Sequence, residues 1–244
     1  MGAILSGWPV VMPSSAVPPF VRAALTLLLA GANVAVFVAL LAAGAGLWHS
    51  SNAVQLAWGA NFGPATKDGE WWRLASAMFL HFGVLHLALN TLALIEAGLY
   101  VERFVGSPRF LGIYIGSGLG GNLLSLIVQG DKGISGGASG AVFGIYAALL
   151  YCLWRERHAL DGEEFRWLFL GGIVFTMFNI ALGFFVTGID NGAHVGGLVS
   201  GFLLAGALLR RKLDGAPLPR GARIGAGLAL LTGTIVLAAR MPAP

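Results

Sequence analysis

Apolar residues run along this chain in stretches too long and too continuous for strand alternation or for the one-sided stripe of a surface helix. Crossing a bilayer core takes about 20 such residues. Seven stretches come close: Ala23–Leu47, Phe79–Tyr100, Phe110–Val128, Ser139–Trp154, Phe165–Val186, Ala193–Leu209 and Ile224–Ala239. The fourth and sixth are short and open in glycine-rich sequence, and the seventh is short but uncharged. The pattern predicts an all-α fold, a polytopic transmembrane helical bundle. One connection is long. Trp48 to Met78 carries Trp58, Phe62, Trp71 and Trp72, which suits either an interfacial anchor or a partly submerged loop that shields something inside the bundle.

Composition strengthens this reading. The hydrophobic fraction is 57%, and it rises to roughly 70% once glycine is counted and tyrosine removed, against about 45–50% in soluble domains. Charged residues are 11%, less than half the usual share of about 25%. So few charges cannot build a water-soluble surface, and they also exclude disorder, which needs low hydrophobicity and high charge. The lone Cys152 allows neither an intrachain disulfide nor a cysteine metal cage. Met1 to Pro19 lacks the basic start of a signal peptide, so residues 1–22 are expected to form an extramembrane tail before an uncleaved first span.

The net charge of +4 gains meaning from its distribution. With the N-terminus inside and seven spans, the inner side holds Arg22, Arg103, Arg109, Arg155, Arg157, Arg166, Arg210, Arg211, Lys212, Arg220 and Arg223. The outer side holds only Lys67, Arg73, Lys132 and Arg240. Cationic residues favour cytoplasmic loops, so the N-terminus is expected inside. No basic run is interleaved with base-stacking aromatics, and no nucleic-acid partner is expected. The lack of an Arg- and Ser-rich transit peptide favours a bacterial cytoplasmic membrane.

Polar groups at membrane depth are costly and each needs a reason. Three clusters stand at the outer end of the predicted spans. His81, His86 and Asn90 lie on the second, with His86 and Asn90 four apart and therefore on one helix face. They could bond neighbouring helices or donate to a common point. The HExxH spacing of zinc proteases is absent. Ser139 opens the fourth span within Gly136-Gly137-Ala138-Ser139-Gly140. It could be an N-cap or a nucleophile beside amides suited to a developing oxyanion. His194 opens the sixth span, where it could pack, sense pH or act as a base. The pairs Gly140/Gly144 and Gly197/Gly201 have the small-residue spacing that lets transmembrane helices approach closely. If those faces meet, Ser139 and His194 sit at one depth, and a hydroxyl must come within about 2.6–3.2 Å of its base to be activated. Nucleophile, base and oxyanion donors then share one level of the bundle.

With these residues in hand, the chain resembles the rhomboid family of intramembrane serine proteases. The resemblance covers Trp72-Arg73, His86-x-x-x-Asn90, Glu102-Arg103 before Gly106, Gly137-Ala138-Ser139-Gly140, and His194 before Gly197. It implies a six-helix protease core over 23–212, followed by a linker and a seventh span over 213–244. It implies a dyad of Ser139 as nucleophile and His194 as base. The Ser139 amide with His86 and Asn90 would form the oxyanion hole. Gly137 matches the motif glycine, Gly140 and Gly197 support the helix contact, and His81 matches a polar residue near the site. Phe143 stands where family members carry a tyrosine against the catalytic histidine. The implied partners are transmembrane protein substrates in the lipid bilayer, with no metal and no cofactor.

Rival classes explain less. Asp131 and Asp190 fall in loops, not in spans as an aspartyl intramembrane protease needs. A transporter would carry ionisable residues near the midplane, and only Glu96 is expected deep, packed on polar groups of neighbouring helices. A catalytically inactive relative that binds transmembrane clients is the remaining alternative. Asp190, four residues before His194, is a candidate orienting carboxylate.

Overall fold

The computed structural model describes residues 23–158 and 160–209. Six α-helices of 18 to 23 residues dominate: α1 (Ala24–Ala42), α5 (Val84–Val105), α6 (Ser107–Gln129), α7 (Ser139–Glu156), α8 (Gly162–Leu182) and α9 (Asn191–Leu209). All but α7 are long and apolar enough by themselves to cross a membrane. The predicted seventh span lies outside the described residues. Helix α7 is instead the centre of the bundle, with α5, α6, α8 and α9 packed around it. Twelve of its eighteen residues are buried.

The outer faces are as apolar as the core. Leu28 and Val38 on α1 are exposed, as are Leu85, Leu89 and Leu92 on α5 and Trp167, Val174 and Phe178 on α8. A helix that is hydrophobic all round belongs in lipid when its outer face has no protein partner.

Several span boundaries differ from the sequence expectation: the first helix ends at Ala42, not Leu47, the fifth span runs Gly162–Leu182, not Phe165–Val186, and the second span moves at both ends. The second helix starts at Val84, not Phe79, because a 3₁₀ turn over Ala77–Phe79 and an extended Leu80 come first. His81 therefore sits in the entry loop and not on the span. The same helix continues to Val105, taking in Glu102 and Arg103. Buried Glu102 accepts from the Leu25 and Thr26 amides at 3.2 and 2.8 Å and from the Thr26 and Ser107 hydroxyls at 2.7 and 2.6 Å. Its carboxylate satisfies amides that the first turn of α1 leaves without helical acceptors, where negative charge is favoured.

The long connection is folded. It contains α2 (Asn52–Ala57), β1 (Asn61–Phe62), α3 (Gly63–Lys67) and α4 (Arg73–Ser76). β1 pairs antiparallel with β2 (Ile134–Ser135), with Asn61 opposite Ser135. Arg73 fastens the loop, donating from Nη1 to the Leu56 and Ala60 carbonyls at 2.8 and 3.1 Å. Asn122 of α6 donates to the Leu74 carbonyl at 2.7 Å, and its own carbonyl accepts from Asn61 at 2.9 Å. Gln55, Ala60 and Thr66 are buried while Trp48 and Trp72 stay exposed, so the loop both packs on the bundle and presents tryptophans outward.

Candidate active site

The glycine-rich run after β2 delivers the chain to the head of α7. Gly137 has φ +143°, a conformation that favours glycine, and its amide donates to the Ala77 carbonyl at 2.8 Å. Ala138 occupies the cap position and Ser139 is the first helical residue. Ser139 is therefore not the N-cap. The first amides of α7 have no acceptor within their own helix, which leaves them available at the surface where the half-exposed Ser139 stands.

α6, α7 and α9 meet along glycines. A Cβ on Gly197 would overlap the Gly140 carbonyl, and one on Gly201 would overlap the Gly144 backbone. One on Gly121 would come 2.7 Å from the Ala193 carbonyl and 3.3 Å from the Gly140 Cα. The two predicted glycine faces thus meet, with α6 closing the third side. No hydrophobic force drives helices together in lipid, so such backbone contact supplies the packing energy. Ser139 adjoins Gly140 and His194 follows Ala193, so both side chains start from neighbouring points of this seam. The His194 ring stacks on Phe143, one turn along from Ser139, with centroids 4.2 Å apart and planes 13° from parallel. His194 is buried, and its Nδ1 has no hydrogen-bond partner among the described residues.

The third contribution comes from the start of α5. The His86 ring lies over Gly137, so close that a Cβ added to this glycine would come 2.9 Å from Cε1 and 3.0 Å from Nε2. The Phe82 amide donates to His86 Nδ1 over a long 3.5 Å. A neutral imidazole that accepts at Nδ1 carries its proton on Nε2, which lies against the loop before Ser139. Asn90 is buried and donates to the His86 carbonyl at 2.9 Å, so one of its two amide protons is engaged within its own helix. His81 meets the His86 ring edge-on at 5.1 Å. Its carbonyl accepts from Gln55 at 3.1 Å, and its buried Nε2 is unpaired among the described residues.

Comparison with known proteins gives the family. The family model of the rhomboid domain matches residues 68–211, more than half of the chain. The chain belongs to the rhomboid family. It is 43% identical over 153 residues to rhomboid protease GluP of Bacillus subtilis (strain 168), covering 63% of this chain and 29% of that protein. It is 37% identical over 156 residues to RHOMBOID-like protein 5 of Arabidopsis thaliana, covering 63% and 49%. With RHOMBOID-like protein 1 of the same plant the figures are 41% over 142 residues, 58% and 36%. The chain thus matches less than half the length of these three relatives. As a family member with several apolar helices it is an integral, multi-pass membrane protein.

Within this rhomboid domain Asp190 does something the sequence did not suggest. Its carboxylate accepts from the Ser125 and Ser135 hydroxyls, both at 2.5 Å, and from the Ala193 amide at 3.0 Å. It is neither a solvated loop charge nor a partner of the His194 ring. It caps α9 and ties that helix to α6 and β2, so it acts on the site by holding the backbone that carries His194. Phe175 of α8 also escaped sequence reading. It stacks on Tyr146 at 4.0 Å and lies 6.0 Å from Phe143, extending the aromatic column behind His194. The Phe143/Tyr146 pair in α7 carried that signal; an apolar helix gives no sign of which residue will face it.

Proposed function

We propose that this rhomboid is an intramembrane serine endopeptidase that cuts peptide bonds within or beside the transmembrane helices of its substrates. The observation that carries this reading is the glycine seam, where the heads of α7 and α9 lie side by side and His194 stacks on Phe143, one turn along from Ser139. His194 takes the Ser139 proton as the hydroxyl oxygen attacks the carbonyl carbon. The tetrahedral oxyanion is held by the Ser139 amide, the His86 Nε2 proton and the second amide proton of Asn90. The bond to nitrogen then breaks as His194 protonates the leaving amine, and water releases the acyl group by the same steps. Ser139 and His194 form a dyad, for the carboxylate of Asp190 is engaged in capping. Gly137 gives His86 its room, and Gly140 and Gly197 give the helices theirs. Phe143 seats the His194 ring without needing the hydroxyl of a tyrosine. His81 braces His86. The chemistry draws on side chains and water, with neither metal nor cofactor.

A helical substrate bond is shielded by its own backbone hydrogen bonds, so the substrate unwinds locally, and small or helix-breaking residues near the cut favour this. The protease core spans 23–212 with six transmembrane helices. The expected inner tail, 1–22, and the expected linker with a seventh span, 213–244, lie outside the described residues. The charge bias sets the N-terminus inside, in a bacterial inner membrane.

Purified chain in liposomes, given a model transmembrane substrate, tests the proposal. Wild type cuts and Ser139→Ala does not. Cutting by neither, across several substrates with folding verified, would replace this reading with that of an inactive client-binding relative.

A further inference from the structure

Glu96 is the charge that the proposed chemistry leaves unused. It lies twelve residues after Val84 and nine before Val105, so about 18 Å and about 14 Å from the two ends of α5 at 1.5 Å per residue. A carboxylate at that depth is costly, and such residues mark functional sites by default. Glu96 nonetheless faces outward and is exposed. Among the described residues only Tyr146 donates to it, at 3.0 Å. The ion pairs among those residues are Lys67–Asp131, Arg73–Glu70 and Arg155–Glu156, so Glu96 has no cationic partner there.

The carboxylate opens into a cleft of about 60 Å³ between α5, α7 and α8. Tyr100, Tyr146 and Trp167 line its walls, and Gly171 and Gly172 keep the α8 side low. Nothing stands within 4 Å of where a Gly171 Cβ would be. A carboxylate among aromatic rings is the surrounding that a cation prefers, by charge and by attraction to ring faces. The cleft also touches the aromatic column that runs from Tyr146 through Phe175 and Phe143 to His194.

We propose that Glu96 is a specificity residue: the cleft between α5 and α8 receives a lysine or arginine side chain carried by the substrate's transmembrane helix. This rests on the protease reading above. Each partner is expensive alone in the bilayer, and pairing offsets both costs. The register follows from geometry. Glu96 lies ten residues beyond His86, so about 15 Å from the level of Ser139. A helical substrate would present the cation about ten residues from the cut, toward the inner side. A fully extended one at about 3.3 Å per residue would present it about five residues away.

The test uses the full chain in liposomes and transmembrane substrates that differ only by Lys or Met at each position five to ten residues inward of the cut. Wild type should prefer Lys at one register by about tenfold in kcat/KM, mainly through KM. Glu96→Gln should bring that preference below about twofold, and Glu96→Lys should transfer it to a substrate carrying Glu. Gly171→Leu, which fills the cleft and spares the carboxylate, should also weaken the preference. Equal Lys preference in wild type and Glu96→Gln would overturn the proposal. Binding of the same helices to Ser139→Ala separates the two readings. Lys-selective binding without cutting by the wild type would leave the cleft standing and remove the protease; cutting without Lys selectivity would do the reverse.

Discussion

Helices α7 and α8 are consecutive and of similar length, yet the bundle treats them differently. Twelve of eighteen residues are buried in α7, against Gly172 and Thr176 alone in α8. Glycines 140 and 144 lock α7 against α9 with backbone on backbone, whereas Gly171 of α8 has open space before it. The first helix carries the proposed nucleophile and the second lines the cleft. Where two side chains must meet within a hydrogen bond, glycine contact removes the slack. Beside the proposed path of a substrate helix, α8 is left loosely packed.

The largest test of this contrast is chemical. Ser139→Ala or His194→Ala should lower kcat on the order of 10⁶-fold, while Val174→Ala, on the exposed face of α8, should leave kcat within about twofold in the same liposome assay. A comparable loss at Val174 would mean that α8 takes part in the chemistry. Next comes Asn90→Ala, which removes one oxyanion donor and should cost about 10²–10³ in kcat with little change in KM. An undiminished rate would remove Asn90 from the site.

A third test reads stability. Gly197→Val drives a side chain into the Gly140 backbone and should destabilise by at least about 1–3 kcal/mol, the usual penalty of overpacking. Gly171→Val adds the same atoms to open space and should stay within about 0.5 kcal/mol. Thermal unfolding in detergent compares the two, and equal effects would show that the seam is no tighter than the cleft. The smallest effect is expected at Phe143→Tyr, which keeps the ring that seats His194; its rate should stay within about threefold of wild type.

Much of this was already present in local pattern. Continuous apolar runs locate helices whatever their neighbours, because each backbone group in lipid must be satisfied within its own segment. The four-residue step from His86 to Asn90 sets both on one face through helix geometry alone. Polar residues at the heads of apolar runs betray themselves by their cost. Other features were hidden because they depend on what lies opposite. Asp190 read as a loop carboxylate that could orient His194 until Ser125 and Ser135 arrived from other elements. His81 looked helical because Leu80 and Phe79 are as apolar as the span they precede, and loop contacts from Leu47, Ser50 and Gln55 hold that stretch extended, Ser50 through its amide at 2.7 Å from the Phe82 carbonyl.

Spans, charge bias and the kinds of reactive group were therefore written in one dimension, since the bilayer acts on each segment separately. Tertiary structure decided which glycines touch, that Phe143 and not a carboxylate lies against His194, and that Glu102 closes the first turn of α1 from 76 residues away. It also gave Glu96 the Tyr146 hydroxyl of a neighbouring helix, as expected, while leaving its carboxylate exposed at the wall of a cleft. Those outcomes depend on the rotation and depth of one helix against another, which packing fixes and no local periodicity records.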